Sequence, residues 1–222
     1  MILLHPYRFI GGGNDAHTTL LIHCDGADAS TTFTDVSATA ATVTANGNAQ
    51  VDTGQSVFGG ASCQLDGTGD YLSVPSNAAY NIAGGDSCLD WRVRFSVVGT
   101  TVTMLNRFNG GTGAGWTTYK DNSNLVNFYS NNGAVLMTGT TALSVNTWYH
   151  IAVTRAGSTW RLFVNGTQEA TSTAAGSDEA TSLLMGSRSG ILEMTGWLDE
   201  IRISKGAARW VDNFTPPTSA YA

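Results

Sequence analysis

Charge is scarce in this chain. Two lysines (Lys120, Lys205) and four glutamates (Glu169, Glu179, Glu193, Glu200) occur among 222 residues, and charged residues of all kinds make up 13%. An average soluble domain carries about 25%. Helical surfaces are usually dressed with Lys and Glu, whose straight side chains keep their rotamer freedom there, so a helical protein is excluded first. The three cysteines (Cys24, Cys63, Cys88) are too few for a disulfide scaffold and read as buried free thiols. No apolar run approaches the ~20 residues of a membrane span. Basic clusters are missing and the net charge is −6, which excludes nucleic acid as a partner, since phosphate binding rests on Lys/Arg patches. The apolar start Met1–Ile10 has no basic residue ahead of its apolar stretch, so no secretory signal is expected.

What is abundant points the other way. Thr, Gly, Ser and Asn number 29, 26, 19 and 15, a composition suited to β-strands joined by tight turns. Hydrophobic residues reach 42%, enough to build a core. The length suits one all-β domain.

Residues 1–17 stand apart as an apolar arm ending in Gly11-Gly12-Gly13-Asn14-Asp15, a flexible joint by composition. From residue 18, short apolar runs alternate with turn signals. Thr19–Cys24 is followed by Asp25-Gly26, Ser62–Leu65 by Asp66–Asp70, and Tyr71–Val74 by Pro75. Leu89, Trp91, Val93, Phe95 and Val97 alternate with Asp90, Arg92 and Arg94, the pattern of a half-buried strand. Further strands are expected near 103–108, 116–120, 125–130, 134–138, 148–155, 159–164, 167–171, 182–186 and 196–204. About a dozen strands with Gly/Asn turns indicate a two-sheet antiparallel sandwich. Trp91, Trp148 and Trp197 are assigned to its core, and Trp210 to a seal at the sandwich edge.

Catalytic constellations are thin. Asp199 and Glu200 are adjacent on a strand and should point to opposite faces. No two carboxylates are aligned on one strand face as the close pair of a retaining glycosidase requires. His5, His17, His23 and His150 have no zinc spacing, and Asn109–Gly115 lacks the Lys-Ser/Thr of a phosphate loop. The chain is read as a non-enzyme.

Trp148-Tyr-His-Ile-Ala-Val-Thr-Arg155 with Trp160-Arg-Leu-Phe-Val-Asn-Gly166 resembles the central hairpin of concanavalin A-like jelly rolls, closest to the laminin-G-like and pentraxin-like branch. Leu21–Gly26, Leu65–Pro75 and Gly196–Ser204 support the resemblance in the expected order. It implies an all-β jelly-roll sandwich over residues 18–222, with the arm 1–17 outside it. In the hairpin, Leu162 and Val164 should face Ile151 and Val153 across a turn at 156–158, and Asn165-Gly166 should take the positive φ of a tight turn.

Cys24–Asp35 with Thr42–Gln50, and Ile203–Pro217, are similar to stand-alone jelly rolls of tailed-bacteriophage structural proteins. That resemblance implies a non-catalytic virion surface protein, made in the host cytoplasm, serving as capsid decoration, fibre or tail-associated protein. Its implied partners are other virion proteins, a homo-oligomer such as a trimer, and surface glycans. The arm residues Ile2, Leu3, Leu4, Tyr7 and Phe9 would anchor it. The fold also implies calcium, with Asp25 and Asp199 the candidate ligands; alternatively Asp25 caps the Asp25-Gly26 turn and Asp199 bonds a loop amide. Arg107, Trp116, Tyr119 and Tyr129 are the candidate glycan-binding residues, unless Trp116 and Tyr129 belong to the core. A free calcium-dependent lectin is the alternative function, and a glycosidase or lyase the third.

Overall fold

A computed structural model of the chain describes residues 13–131 and 134–222. The apolar arm with Ile2, Leu3, Leu4, Tyr7 and Phe9 lies outside the described residues. The described strands are β1 (Thr18–Ile22), β2 (Thr44–Asn46), β3 (Gln50–Asp52), β4 (Ser62–Asp66), β5 (Tyr71–Val74), β6 (Ser87–Phe95), β7 (Val102–Asn106), β8 (Trp116–Lys120), β9 (Val126–Ser130), β10 (Ala134–Thr138), β11 (Trp148–Ala156), β12 (Thr159–Val164), β13 (Thr167–Ser172), β14 (Leu183–Met185) and β15 (Thr195–Lys205). One short 3₁₀ turn at Ala78–Tyr80 is the single helical element among the described residues.

The strands form two antiparallel sheets. One has eight strands in the order β13-β12-β11-β6-β15-β4-β3, with β1 also on β15; the other has seven, β10-β9-β8-β7-β14-β5-β2. Between them lies a core in which Trp91, Phe95, Trp116, Phe128, Tyr80 and Trp160 pack with Leu, Ile and Val from both sheets. The central hairpin has the expected register, Ile151 opposite Val164 and Val153 opposite Leu162. At the next turn Asn165 and Gly166 both take positive φ, 49° and 79°, as a two-residue hairpin of this twist requires.

β15 is the longest strand and carries two partners on one edge. Its first half pairs with β4 (Leu198 opposite Cys63) and its second with β1 (Ile201 opposite Ile22). Where they meet, the register against β6 slips between Asp199 and Arg202, and Glu200 sits in the left-handed region at φ 47°. This bulge corrects one expectation. Leu198 and Ile201 enter the core, so Asp199 and Glu200 both project from the outer face, because the extra residue resets the alternation.

β6 corrects another. Leu89, Trp91, Val93 and Phe95 enter the core as the pattern requires, whereas Val97 lies beyond the end of β6 and is exposed, and Cys88, Asp90 and Arg92 are buried too. The cause is the C-terminal segment, which leaves β15 and returns across the outer face of the eight-stranded sheet. Trp210 stacks on Phe214, with ring centroids 4.1 Å apart, over Cys88, Ala152 and Phe163. Trp210 therefore seals the sheet's face, not its edge. Near its end Tyr221 is buried: its amide bonds Glu200 at 3.0 Å and its hydroxyl bonds Asp90. Beneath this strap Arg202 donates to Asp90 from Nε at 3.0 Å and Nη2 at 3.2 Å. Asp15 and Arg209 pair at 2.9 Å where the strap meets β1. Although burial raises Asp15, the Arg209 guanidinium holds its pKa at about 2.

Trp148 and Trp197 also depart from expectation. Both are half-exposed on the outer face, each directly opposite Arg94.

Candidate binding site

On β8 and β9 the outer face of the seven-stranded sheet is built by alternation. On β8, Trp116 points into the core while Thr117 and Tyr119 point out; on β9, Phe128 points in and Tyr129 points out. Cross-strand pairing sets Thr117 opposite Tyr129 and Thr103 opposite Tyr119, so these four side chains share one surface.

The loop after β14 rises over that surface. Arg188 and Ile191 exchange backbone hydrogen bonds at 2.9 and 3.2 Å around Ser189-Gly190, both at positive φ. The Leu192 carbonyl accepts from the Thr103 amide at 2.7 Å, which pins the loop to β7. The result is a pocket of about 210 Å³ lined by Thr101, Thr103, Thr117, Tyr119, Tyr129, Arg188 and Leu192. Arg188 lies 4.5 Å over Phe108, which meets Tyr129 edge-on at 4.9 Å. A guanidinium, two phenols and several hydroxyls thus converge on one apolar-floored hollow, the mixture that small polar ligands with an apolar face require.

Of the four residues read from sequence as the ligand site, Tyr119 and Tyr129 come together here and the other two do not. Trp116 is fully buried in the core. Arg107 is buried at the far end of β7, donating to the Thr181 and Glu179 carbonyls and to Asn81 Oδ1. It clamps the 178–181 loop, and burial lowers its pKa. Arg188 was missed; its signal was an arginine set in a Gly-Ser-Arg-Ser-Gly hairpin (186–190), where a long cation has no structural task.

The calcium candidates both border the 57–59 segment. Asp25 is exposed after β1, its carboxylate resting against Gly59, where a Cβ would fall 1.9 Å from Oδ1. Asp199 is buried, and its Oδ2 accepts from the Val57 amide at 2.8 Å. Burial pushes Asp199 up to about 7, partly offset by those amides, so its charged form is disfavoured. Glu200 Oε1 takes His23 Nδ1 at 2.7 Å, and this bond raises the His23 pKa. Among the described residues no group of three or more His, Cys, Asp or Glu side chains is arranged to hold a metal ion. Of the two Asp199 oxygens, Oδ2 is committed to the Val57 and Phe58 amides and Oδ1 is buried without a hydrogen-bond partner.

A family model described as the concanavalin A-like lectin/glucanases superfamily matches residues 66–210. The chain belongs to that superfamily. A comparison with curated protein sequences found no match. Among solved structures, this concanavalin A-like chain is similar to the binding domain of Paraclostridial Mosquitocidal Protein 1 (TM-score 0.67, 17% identity, covering 86% of this chain and 49% of that one). It is also similar to the botulinum neurotoxin serotype D binding domain (0.65, 16%, covering 89% and 49%). A third is a structure titled for the entry of botulinum neurotoxin type C into cells through two ganglioside molecules (0.62, 14%, covering 86% and 48%). The chain spans about half the length of each. At these identities the likeness is one of fold, the jelly roll.

Proposed function

We propose that this jelly roll is a non-catalytic glycan-binding module whose site is the hollow between Tyr119, Tyr129 and Arg188. The convergence of two half-buried tyrosines, a guanidinium and threonine hydroxyls around a pocket of about 210 Å³ carries the reading. The volume suits a single sugar ring at the end of a glycan, its apolar face on the tyrosines and its hydroxyls or carboxylate toward Arg188. The binding domains of similar fold support it, one of them from a toxin whose entry involves gangliosides.

A hydrolytic role is disfavoured on access. Asp199 and Glu200 share a face but lie fully buried, Glu200 between His23 and the Tyr221 amide. No substrate reaches them without displacing the strap over Glu200 and the 57–58 segment that bonds Asp199. As carrier of the module we propose a bacteriophage particle, displayed as decoration, fibre or tail component; this rests on the resemblance of residues 24–35 with 42–50 and of residues 203–217. The apolar arm would then supply the contact to other virion proteins or to further copies of the chain.

A glycan array with the intact protein tests the proposal, with and without chelator. At least one terminal sugar should bind, Arg188→Ala and Tyr129→Ala should each weaken it about tenfold or more, and chelator should change nothing. An array without signal, or variants that bind like wild type, overturns it. Binding lost to chelator and restored by calcium supports the lectin with Asp25 and Asp199 as ligands instead.

A further inference from the structure

The opposite side of the sandwich carries a second feature that the pocket does not explain. Where the strap leaves the eight-stranded sheet uncovered, one row of outward side chains crosses five adjacent strands. Cross-strand pairing sets Trp148 (β11) opposite Arg94 (β6), Arg94 opposite Trp197 (β15), Trp197 opposite Gln64 (β4) and Gln64 opposite Gln50 (β3). Directly paired residues share a face, and their neighbours Tyr149, Val93, Phe95, Leu198, Cys63 and Val51 enter the core. All five are half-exposed.

The row is held in place. Arg94 lies 5.3 Å over the Trp197 ring and donates to Asn146 Oδ1 at 3.2 Å, while its Nε has no partner. The Trp197 indole N–H donates to Asp52 Oδ2 at 2.6 Å, and Gln50 Nε2 donates to Gln64 Oε1 at 3.2 Å. On one side the shelf has a wall: Phe58 packs 5.5 Å from the Arg92 guanidinium, which also donates to the Pro217 carbonyl. The other side is open and wholly polar, with Asn146, Ser96, Thr195 and Asp66. At the Gln50 end the shelf runs into a hollow of about 490 Å³ lined by Thr31, Asn48, Gln50, Gln64, Asp66 and Asp70.

We infer that this shelf is a second binding site, for an extended neutral polysaccharide lying across the strands. Two partly exposed tryptophans in one row with hydrogen-bonding side chains offer apolar ring surface beside polar groups, the combination a sugar chain uses. They stand two strands apart, about 10 Å at the usual strand spacing, the length of a disaccharide unit in an extended chain. Every second ring would then rest on an indole, while the amides and hydroxyls along both sides meet the sugar hydroxyls. The hollow receives the chain end. Its exposed carboxylate, Asp66, favours hydroxyl donors, and with the buried Asp70, whose oxygens accept the Asn48 and Asp66 amides, it repels uronate or sialate. This separates the shelf from the arginine-bearing pocket across the sandwich. A protein partner fits less well, because the row is interrupted by Arg94 and ends in two glutamines.

Affinity electrophoresis of the intact protein in gels containing hydroxyethyl cellulose, mixed-linkage β-glucan, galactomannan or polygalacturonate tests the inference. At least one neutral polymer should retard the protein, and polygalacturonate should not. Trp148→Ala and Trp197→Ala should each reduce retardation about tenfold or more. Gln64→Ala, which removes hydrogen bonding without touching the core, should reduce it measurably if a tryptophan variant fails to fold. Tyr129→Ala should leave it unchanged, so failure of the tyrosine pocket and failure of the shelf are told apart. The inference falls if no neutral polymer retards the protein, if polygalacturonate binds better, or if folded tryptophan variants and Gln64→Ala migrate like wild type. It also falls if Trp148→Ala instead abolishes self-association measured by light scattering while neutral polymers have no effect.

Discussion

Asp90→Asn is the most informative single change in this molecule. Asp90 is completely buried beneath the C-terminal strap, where its carboxylate accepts two bonds from Arg202 and one from the Tyr221 hydroxyl. His150 Nε2 stands 3.6 Å away, and burial lowers its pKa, so the imidazole is neutral and the counter-charge is Arg202. Burial alone would raise the Asp90 pKa, but Arg202 holds it well below the usual carboxylate range. Asparagine keeps the shape and removes the charge. Arg202, equally buried, then sits in the interior without a counter-ion, and the Tyr221 hydroxyl loses its charged acceptor. Removing one partner of a buried pair costs about 3–5 kcal/mol. For a domain of this size each kcal/mol lowers Tm by about 2–4 °C, so the melting temperature at pH 7 should fall by about 6–20 °C. Calorimetry or circular dichroism measures this directly. Asp90→Leu with Arg202→Met should recover much of the loss, because a well-packed apolar pair avoids desolvating two ions. A Tm within about 2 °C of wild type for Asp90→Asn would refute the reasoning, showing that water reaches Arg202 under the strap.

Two further outcomes follow from other sites. The folded-state pKa of Asp199 is raised to about 7 while the unfolded value is near 3.9, so the native state holds a proton that the unfolded chain releases, and stability falls as pH rises between those values. Asp199→Asn should therefore gain on wild type from pH 4 to pH 7 in urea titrations, and a constant difference across that window would contradict the assignment. Gly166 sits at φ 79°, and a Cβ there would fall 1.9 Å from the Phe214 carbonyl oxygen of the strap. Gly166→Ala should lose about 1–2 kcal/mol to backbone strain alone, with the strap displaced, seen as faster proteolysis after Arg209; unchanged proteolysis and stability would show that the turn tolerates a side chain.

Much of the sandwich was legible because alternation and turn chemistry agree. Leu89–Phe95, Trp148–Arg155 and Trp160–Val164 each carry a period of two, and Asn165-Gly166 announces its turn; Val97, which continues the first pattern, falls outside the strand. β2 and β3 were not legible: three residues each, they pair only because longer strands offer an edge. Trp148 shows size and period in conflict. Counting back from Ile151 puts it with His150 on the outer face, and the period prevails. The Asp199–Glu200 bulge could not be read, since nothing local marks Glu200 for a left-handed conformation. Nor could the strap be seen, because the segment after β15 has no periodicity and its partners, Asp90, His150 and Glu200, are distant in sequence. Half the pocket was visible as aromatics near Asn-rich turns. The missing half, Arg188, depends on a loop crossing from β14 over β7.

The position of β15 has a kinetic consequence. The last strand in the sequence is a central one: β6 lies along one edge, β4 and β1 along the other, and its register joins Thr18 to Ser204. Until it inserts, β6 and β4 present open edges that any other strand can pair with. Closing so long a loop places folding at the slow end, in milliseconds to seconds or longer, as for other β-rich chains of non-local contact. Productive folding is therefore a competition between one late insertion and encounters with other unfinished chains, so the refolding yield should depend steeply on protein concentration.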